Sequence, residues 1–320
     1  MLRAGYGHRY DKLLISGVIN MKYVLRKAVY SDELEIEISQ QAYASYKESQ
    51  TILYNCLAFE EKYEDLVLAY LDLERQIFEA TALNMVYGIY EPLDVFDSKL
   101  ALNLRLMSLL TASTLYRYRF PHHIKECIPH CIDADNLAKS LRTKEHNDNP
   151  DYRFMELFRN HAQHFDLPIH WMSSGVRWTD LGKDGQLEYS LDFGVSKSYL
   201  MENRKFTRKV LEKYPAEIDL KSTTRSYVES FSKMHGAARE LIKESVQNAR
   251  EHLEGAYSQY RKVYGKDSGS LSACMFNEQG VIETIPLMLY LDDIRIKLQK
   301  KNQLLVNLGK RYVTGKKKTS

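Results

Sequence analysis

The most regular pattern in this sequence is an apolar seam with heptad spacing. Its members follow one another in alternating steps of four and three residues: Ile52, Cys56, Phe59, Tyr63, Leu66, Tyr70, Leu73, Ile77 and Ala80. Such spacing places all of these side chains along one side of an α-helix. Because Tyr and Phe are bulky for a two-stranded coiled coil, the seam predicts a packed bundle or an antiparallel helical hairpin.

The composition is typical of a globular protein. The 320 residues are 44% hydrophobic and 27% charged, with a formal net charge of +3. These values exclude the disordered class and permit nucleic-acid binding without requiring it. The sequence contains no secretion signal and no apolar run of about eighteen residues that could span a membrane. Together with only four cysteines, these features predict a cytoplasmic protein with free thiols.

The expected fold class is mainly α, a helical bundle with long helices and one or two small β-hairpins. Residues 1–20 are predicted to form a flexible leader, and residues 21–168 the bundle. Its first helix is predicted to open at residues 31–33. The helix after the seam is predicted to begin near Asp97 and to end near Tyr118, because Pro121 lacks the N–H that a helix interior needs.

Alternation with a period of two begins after Pro168 and predicts a β-hairpin over residues 169–195. Asp184-Gly185 supplies its turn. A second hairpin is predicted further along, and we expect the two to share one small sheet, since a single hairpin is not stable alone. The four predicted strands are Ile169–Trp178, Gln186–Phe193, Ser272–Phe276 and Val281–Ile285.

Residues 196–310 are predicted to hold further helices around the second hairpin, and residues 311–320 a basic tail. Three helices are predicted there: Glu202–Lys213, which is basic, Leu220–Tyr264, and one that starts at Pro286. The apolar seam of the second of these shifts along its length, so we expect that helix to bend or divide near Gly236 or Gly255.

The segment from Asn149 to His170 is predicted to be one helix with marked ends. Asn149 is a suitable N-cap, Pro150 suits the first helical position, and Pro168 ends the helix. At 100° per residue, one side is predicted to face the core: Phe154, Leu157, Phe158, Ala162 and Phe165. His161 also falls on that side. The opposite arc is polar: Arg159, Gln163, Asn160 and His164.

Arg159-Asn160-x-x-x-His164 resembles the R-N-x-x-x-H signature of HEPN-type ribonucleases, an all-helical family of RNA-cleaving toxins and defence proteins. The same Arg-to-His spacing occurs at Arg3/His8, in a Gly-containing tail, and at Arg117/His122, which Pro121 interrupts. The resemblance covers this helix and the bundle around it, under half of the chain. It implies a metal-independent endoribonuclease, used as a toxin or in anti-phage defence. It also implies a homodimer in which two copies of the motif face each other across a shared cleft.

The residue types suit this chemistry. RNA is cut without a metal when its own 2′-hydroxyl attacks the phosphate, so the protein must move protons and stabilise charge. His164 suits the first task and Arg159 the second, while Asn160 can orient the histidine or donate to the phosphate. Gln163 is a supporting candidate. Five basic residues are candidates for binding RNA phosphates, with a merely solvated helix as the alternative: Lys197, Arg204, Lys205, Arg208 and Lys209.

A metal or cofactor is not expected. The stretch HHIKECIPHC contains a group of potential zinc ligands: His122, His123, Cys127, His130 and Cys131. Structural zinc sites usually have a second clear pair of ligands at a distance, and none is present here. Neither a G-x-x-x-x-G-K-[ST] nor a G-x-G-x-x-G loop for nucleotides occurs.

Two alternatives stay open from the sequence. The first is a non-catalytic helical scaffold whose heptad seams bind a partner. The second is a HEPN-type bundle that binds RNA or a nucleotide without cutting it. If the chain is a toxin, an antitoxin or another regulatory protein is an expected partner.

Overall fold

The computed structural model describes residues 21–27, 34–88, 91–180, 185–204, 206–265 and 269–313, and these are mainly α-helical, as predicted. The helices are α1 (Gln40–Tyr87), α2 (Pro92–Cys127), α3 (Ala134–Asp148), α4 (Pro150–His164), α5 (Lys197–Glu202), α6 (Arg208–Leu211), α7 (Leu220–Tyr264) and α8 (Leu289–Lys301). The strands are β1 (Lys22–Lys27), β2 (Ile36–Glu37), β3 (Trp171–Trp178), β4 (Leu187–Ser196), β5 (Glu217–Asp219), β6 (Leu271–Asn277) and β7 (Gly280–Leu287). The predicted leader and the tail residues 314–320 lie outside the described residues.

The chain divides into two compact units. One comprises Met1–Gln50 and His252–Met288, and the other comprises Thr51–Glu251 and Leu289–Ser320. The first unit contains a sheet with strand order β2-β1-β6-β7, and the second contains a sheet with order β3-β4-β5. All strand pairings are antiparallel.

Both predicted hairpins are confirmed, as β3–β4 and β6–β7. The expectation that they pair with each other is wrong, because each extends onto a strand that the sequence did not indicate. β6 pairs with β1 from Lys22↔Phe276 to Lys27↔Leu271, and β4 pairs with the three-residue strand β5. The turn predicted at Asp184-Gly185 lies partly outside the described residues.

The apolar seam of α1 is buried in the second unit, as predicted. Eight of its nine members are less than 10% exposed, and Tyr70 is half-buried. The ring of Phe59 lies 6.0 Å from that of Phe120 on α2, between ring centroids. One turn earlier on the same face of α2, the ring of Tyr116 lies 5.5 Å from Phe231 of α7. Helices α1, α2 and α7 therefore share one aromatic core.

The prediction that Pro121 ends a helix is wrong, because α2 continues through it to Cys127. The residues on either side explain why: Phe120, Ile124 and Cys127 are all 0% exposed. Burial of large apolar side chains contributes about 1.5–3 kcal/mol each. That gain offsets the cost of about 3 kcal/mol for a proline inside a helix.

Several other helix boundaries differ from those predicted. The first described helix begins at Gln40, after strands β1 and β2 that were not predicted. α7 is continuous through Gly236, where an added Cβ would lie 2.7 Å from the Leu304 side chain. This glycine therefore serves packing and does not divide the helix. Pro286 belongs to β7, an edge strand, where a missing N–H is tolerated, so the last helix starts later, at Leu289.

Helix α4 is anchored at its first turn by Asn149. The Asn149 Oδ1 accepts hydrogen bonds from the backbone N–H groups of Asp151 (2.9 Å) and Tyr152 (3.4 Å), which confirms the predicted N-cap. Its Nδ2 donates to Ser230 Oγ (2.8 Å) and to the Ser226 carbonyl (3.2 Å) on α7. One side chain thus begins the helix and holds it against α7.

We expect Asn149→Ala to lower the free energy of unfolding by about 2 kcal/mol, since it removes a cap and leaves the buried Ser230 hydroxyl unpaired. Asn149→Asp keeps the cap acceptor but loses both donated bonds, so its loss should be smaller. Urea denaturation of the three proteins measures this order. A loss below about 0.5 kcal/mol for the alanine variant, typical of a neutral surface site, would contradict it.

Candidate active site

The predicted polar cluster lies on α4, which is shorter than expected. The helix ends at His164 because Asp166 forms a local turn, its Oδ1 accepting from the N–H of Leu167 at 2.7 Å. Phe165 therefore lies beyond the helix and is 55% exposed, so its predicted place in the core is wrong. The buried side of α4 consists of Tyr152, Phe154, Met155, Phe158 and His161.

Arg159 is half-buried and is held by neutral acceptors. One terminal nitrogen of its guanidinium donates to Thr114 Oγ1 at 3.1 Å, and the other donates to Asn160 Oδ1 at 2.7 Å. The Thr114 hydroxyl in turn donates to the Leu110 carbonyl at 2.7 Å, which fixes its lone pairs toward the arginine. The sequence did not indicate Thr114, since it lies 45 residues away on α2.

This environment differs from that of several other half-buried arginines in the same unit. Arg117 pairs with Glu156, Arg225 with Glu74, and Arg239 with Glu60. Among the described residues, Arg159 has no carboxylate partner. A guanidinium is always charged in proteins. The positive charge of Arg159 is therefore positioned but not neutralised, which leaves it able to bind an anion.

Asn160, Gln163 and His164 are exposed on the same helix. The side-chain oxygen of Asn160 accepts from Arg159. His164 forms no side-chain hydrogen bond with any residue that the structure describes. Its ring is thus accessible to a ligand, one helical turn and a half after the arginine.

The loop that follows His164 is fixed to α2. The Ile169 N–H donates to Asn103 Oδ1 at 2.8 Å, and Lys99 Nζ donates to the His170 carbonyl at 2.9 Å. Nearby, Tyr199 donates to Asp166 at 2.5 Å, and this hydrogen bond lowers the pKa of that carboxyl. The end of α4 is therefore held at both sides rather than free to move.

His161 is buried, as predicted, and serves the structure. Its Nδ1 lies 3.0 Å from the Asn203 amide nitrogen, and burial lowers its pKa. Burial likewise lowers the pKa of His170, whose ring lies 6.5 Å from that of His161. Burial therefore disfavours the charged form of both rings, and neither is exposed in the way that His164 is.

The basic residues predicted to contact RNA do not form one helix face. In place of Glu202–Lys213 the structure has the short helices α5 and α6. Lys197 donates to the Tyr214 carbonyl at 3.1 Å, whereas Arg204, Arg208 and Lys209 are exposed. Lys205 lies outside the described residues.

The stretch His122–Cys131 does not assemble a metal site. The described residues contain no group of three or more His, Cys, Asp or Glu side chains arranged for a metal ion. Cys127 is buried and Cys131 is half-buried, and all four cysteines are free thiols. Burial lowers the pKa of His123 to about 4. This stretch contributes the last turns of α2 to the core.

A second polar cluster, centred on His235 of α7, was not indicated by the sequence. The His235 ring is fully buried and stacks between Tyr63 (4.0 Å between centroids) and Phe59 (4.3 Å). Its Nε2 lies 3.1 Å from Glu60 Oε2, and its Nδ1 lies 2.9 Å from the Tyr116 hydroxyl. These contacts assign the proton to Nε2, with the tyrosine donating to Nδ1.

The carboxylate of Glu60 supplies the negative charge of this cluster. Burial alone would raise its pKa, but hydrogen bonds from His235 and Arg239 outweigh burial and lower the pKa to about 2. Arg239 donates to both oxygens of this carboxylate and to the Asn302 carbonyl. A cleft of about 300 Å³ borders the pair and is lined partly by Arg250 and Arg295. Arg295 pairs with Asp292, Arg250 with both Asp292 and Asp293, and Lys243 with Glu240. Each cation that lines the cleft therefore has a carboxylate partner, and the cluster serves packing.

No protein-family model, curated protein or solved structure matches this chain. None of the helices in the described ranges is long and apolar enough to cross a membrane.

The His235 cluster makes stability depend on pH. Burial lowers the pKa of His235 to about 4, below the value near 6.5 of an unfolded chain. Between these values the unfolded state binds the proton and the folded state does not, so stability is full above pH 6.5 and falls as pH drops toward 4. The loss from this one group is about 3 kcal/mol.

We expect the melting temperature of His235→Gln to be lower than that of the wild type at pH 7, but to change less between pH 6.5 and 4. Scanning calorimetry at several pH values gives, for each protein, the slope of melting temperature against pH. His146→Gln, which removes an exposed ring on α3, is the matched control and should keep the wild-type slope. Equal slopes for wild type and His235→Gln would contradict a buried neutral imidazole.

Proposed function

We propose that this chain is a metal-independent endoribonuclease of HEPN type, acting as a toxin or an anti-phage effector. The observation that supports this function most is the state of Arg159. Its guanidinium is half-buried, held by Thr114 and Asn160, and without a carboxylate partner in the described residues. A held but unneutralised arginine beside an exposed amide and imidazole suits a phosphodiester.

In this proposal Arg159 stabilises the charge that gathers on the phosphate oxygens. A guanidinium presents a planar fork of donors that matches two such oxygens. Because its side chain is already fixed by α2, little ordering is needed when RNA binds, and fixed donors of this kind stabilise a transition state most. Asn160 couples its orientation to that of the arginine and adds a neutral donor.

His164 is the proposed proton-transfer group. Its accessible ring can remove the proton of the 2′-hydroxyl or protonate the leaving 5′-oxygen. One imidazole cannot readily perform both transfers in the same step. The HEPN resemblance supplies a second group through a homodimer with a composite site, and Gln163 is a supporting residue.

Exposed Arg208 and Lys209 are proposed to contact flanking phosphates. An antitoxin or regulatory protein is the proposed partner in the cell.

If the chain is a non-catalytic scaffold, its partner must bind a surface other than the heptad seam of α1. The heptad seam of α1 is occupied inside the bundle, with Cys56, Phe59 and Leu66 at most 1% exposed. A partner cannot reach these side chains without unfolding the unit. A scaffold role would therefore depend on exposed faces, and binding of RNA without cleavage would depend on the same polar face as the nuclease.

We expect the wild type to cleave RNA in EDTA and to arrest growth on induction. Arg159→Ala and His164→Ala should each lower the cleavage rate by at least about 100-fold, because each removes a group that acts in the transition state. His146→Ala, which removes an exposed imidazole from helix α3, is the matched control and should keep the wild-type rate. Circular dichroism checks that each variant is folded. Equal rates in all four proteins would rule the proposal out.

Thr114 is expected to act by positioning Arg159. Thr114→Val keeps the shape of the side chain but removes the hydroxyl, so the guanidinium loses one of its two fixed contacts. We expect a fall of about tenfold in the rate at saturating RNA, the effect of losing one hydrogen bond of about 1.4 kcal/mol. Thr114→Ser should restore the rate, whereas an equal loss in both variants would show that the hydroxyl has no such role.

A further inference from the structure

The outward face of α2 is covered with large apolar side chains that contact no other part of the described chain closely enough to bury them. Six of them are between 50% and 79% exposed: Leu93, Phe96, Leu100, Leu104, Leu115 and Tyr118. We refer to these six residues as the α2 stripe. The opposite face of the same helix carries Leu102, Leu106 and Leu109, all 0% exposed. α2 is therefore apolar on two opposite sides, and only one of them is used inside the chain.

The α2 stripe is regular along the whole helix. Leu93, Leu104 and Leu115 are spaced by eleven residues, and Met107 lies midway between Phe96 and Tyr118. An 11-residue repeat corresponds to 3.67 residues per turn, so the stripe stays on one face of a nearly straight helix. Each exposed side chain of this size offers on the order of 100 Å². Their sum exceeds the few hundred square ångströms at which an apolar patch marks an interaction site.

A groove beside the α2 stripe gives this surface its shape. It has a volume of about 450 Å³ and lies between α1, at Lys62 and Asp65, and α2, from Leu104 to Leu115. All of these residues belong to the second compact unit. A surface with a ridge of apolar side chains beside a groove can bind a second copy of itself, because the ridge of each copy fits the groove of the other.

The two ends of the α2 stripe carry opposite charges. Asp94 and Asp97 lie at its amino-terminal end and Arg119 at its carboxyl-terminal end. On an ideal helix all three lie to the same side of the stripe, within roughly 60° of its edge. None of them forms an ion pair with a residue in the described ranges. Their charges are therefore available to a partner.

We propose that the α2 stripe binds the α2 stripe of a second copy of this chain in antiparallel orientation, around a two-fold axis near Leu104 and Met107. Antiparallel pairing places Phe96 of one copy against Leu115 and its groove in the other. Two-fold symmetry brings the same flank of both helices together, so Asp94 and Asp97 of each copy approach Arg119 of the other. A parallel pair would place like charges at the same end of the contact and leave Asp94 and Asp97 far from Arg119.

This contact differs from the composite-site dimer that the HEPN resemblance implies. Thr114, which holds Arg159, lies on the opposite flank of α2 from Arg119. It is also about eight residues from the proposed axis, so the two Arg159 sites would lie about 25 Å apart along the helices. The proposed self-association therefore does not depend on the nuclease function. Cleavage and dimer formation can fail separately.

The first test is sedimentation velocity of the full-length protein up to about 0.1 mM, where a contact with a micromolar dissociation constant is saturated. We expect the wild type to form at least a dimer, and a larger assembly where the composite-site contact forms as well. Phe96→Glu and Leu104→Glu should raise the dissociation constant more than about 100-fold, since each places a charge in the centre of the contact. Val263→Glu changes an exposed apolar residue on α7 and is the matched control, which should leave the dimer intact.

Charge reversal tests the antiparallel orientation. It also shows whether a loss of affinity comes from the changed charges or from misfolding, because only the former is recovered in a mixture of variants. Asp94→Lys with Asp97→Lys should weaken self-association several-fold at low salt, as should Arg119→Glu in a separate chain. A mixture of these two variants restores opposite charges at both ends, so the mixed dimer should form with nearly the wild-type affinity. RNA cleavage by the stripe variants reports on the nuclease independently.

A wild type that stays monomeric at 0.1 mM would overturn the proposal, as would a dimer that Phe96→Glu and Leu104→Glu leave unchanged. Weak association in the mixture of charge variants would overturn the antiparallel orientation. A monomeric wild type that loses thermal stability on Leu104→Glu would show instead that the α2 stripe is covered within the same chain.

Discussion

Burial of the aromatic seam of α1 is the interaction on which the second compact unit depends. Phe59 and Tyr63 stack on the two faces of His235, so the seam cannot pack unless α7 presents a flat polar ring between them. That ring is buried without charge, and Glu60 and Tyr116 satisfy both of its nitrogens. The apolar packing of the seam and a buried hydrogen-bond network therefore meet at one residue, His235.

This core sets the position of α4. α7 holds the helix start through Asn149, and α2 holds Arg159 near its other end through Thr114. The polar face is thus attached to two long helices that are themselves fixed by aromatic packing. The guanidinium of Arg159 is thus fixed before any ligand arrives, and this preorganisation supports the proposed stabilisation of charge on a phosphate.

Local patterns in the sequence predicted most of the helices, and long-range packing accounts for the errors. The α1 seam, the Asn149 cap and the two hairpins depend on residues close in sequence, so their spacing was sufficient. Pro121 is tolerated because distant residues bury its neighbours, which spacing along one helix does not show. The contact between His235 and Glu60 joins residues 175 positions apart, and Thr114 lies 45 residues from Arg159, so neither partner could be inferred. The sequence identified the candidate site residues but not what holds them.

The most direct measurement is the cleavage of a single RNA in EDTA, compared with the same RNA carrying one 2′-deoxy nucleotide at the cut position. Attack by the 2′-hydroxyl predicts that the unmodified RNA is cut to leave a 2′,3′-cyclic phosphate and that the deoxy-substituted position is resistant. It also predicts that Arg159→Ala abolishes the cut while the protein stays folded. Cleavage of the deoxy-substituted RNA at the same position, or of both RNAs by Arg159→Ala at the wild-type rate, would contradict a site centred on Arg159 and His164.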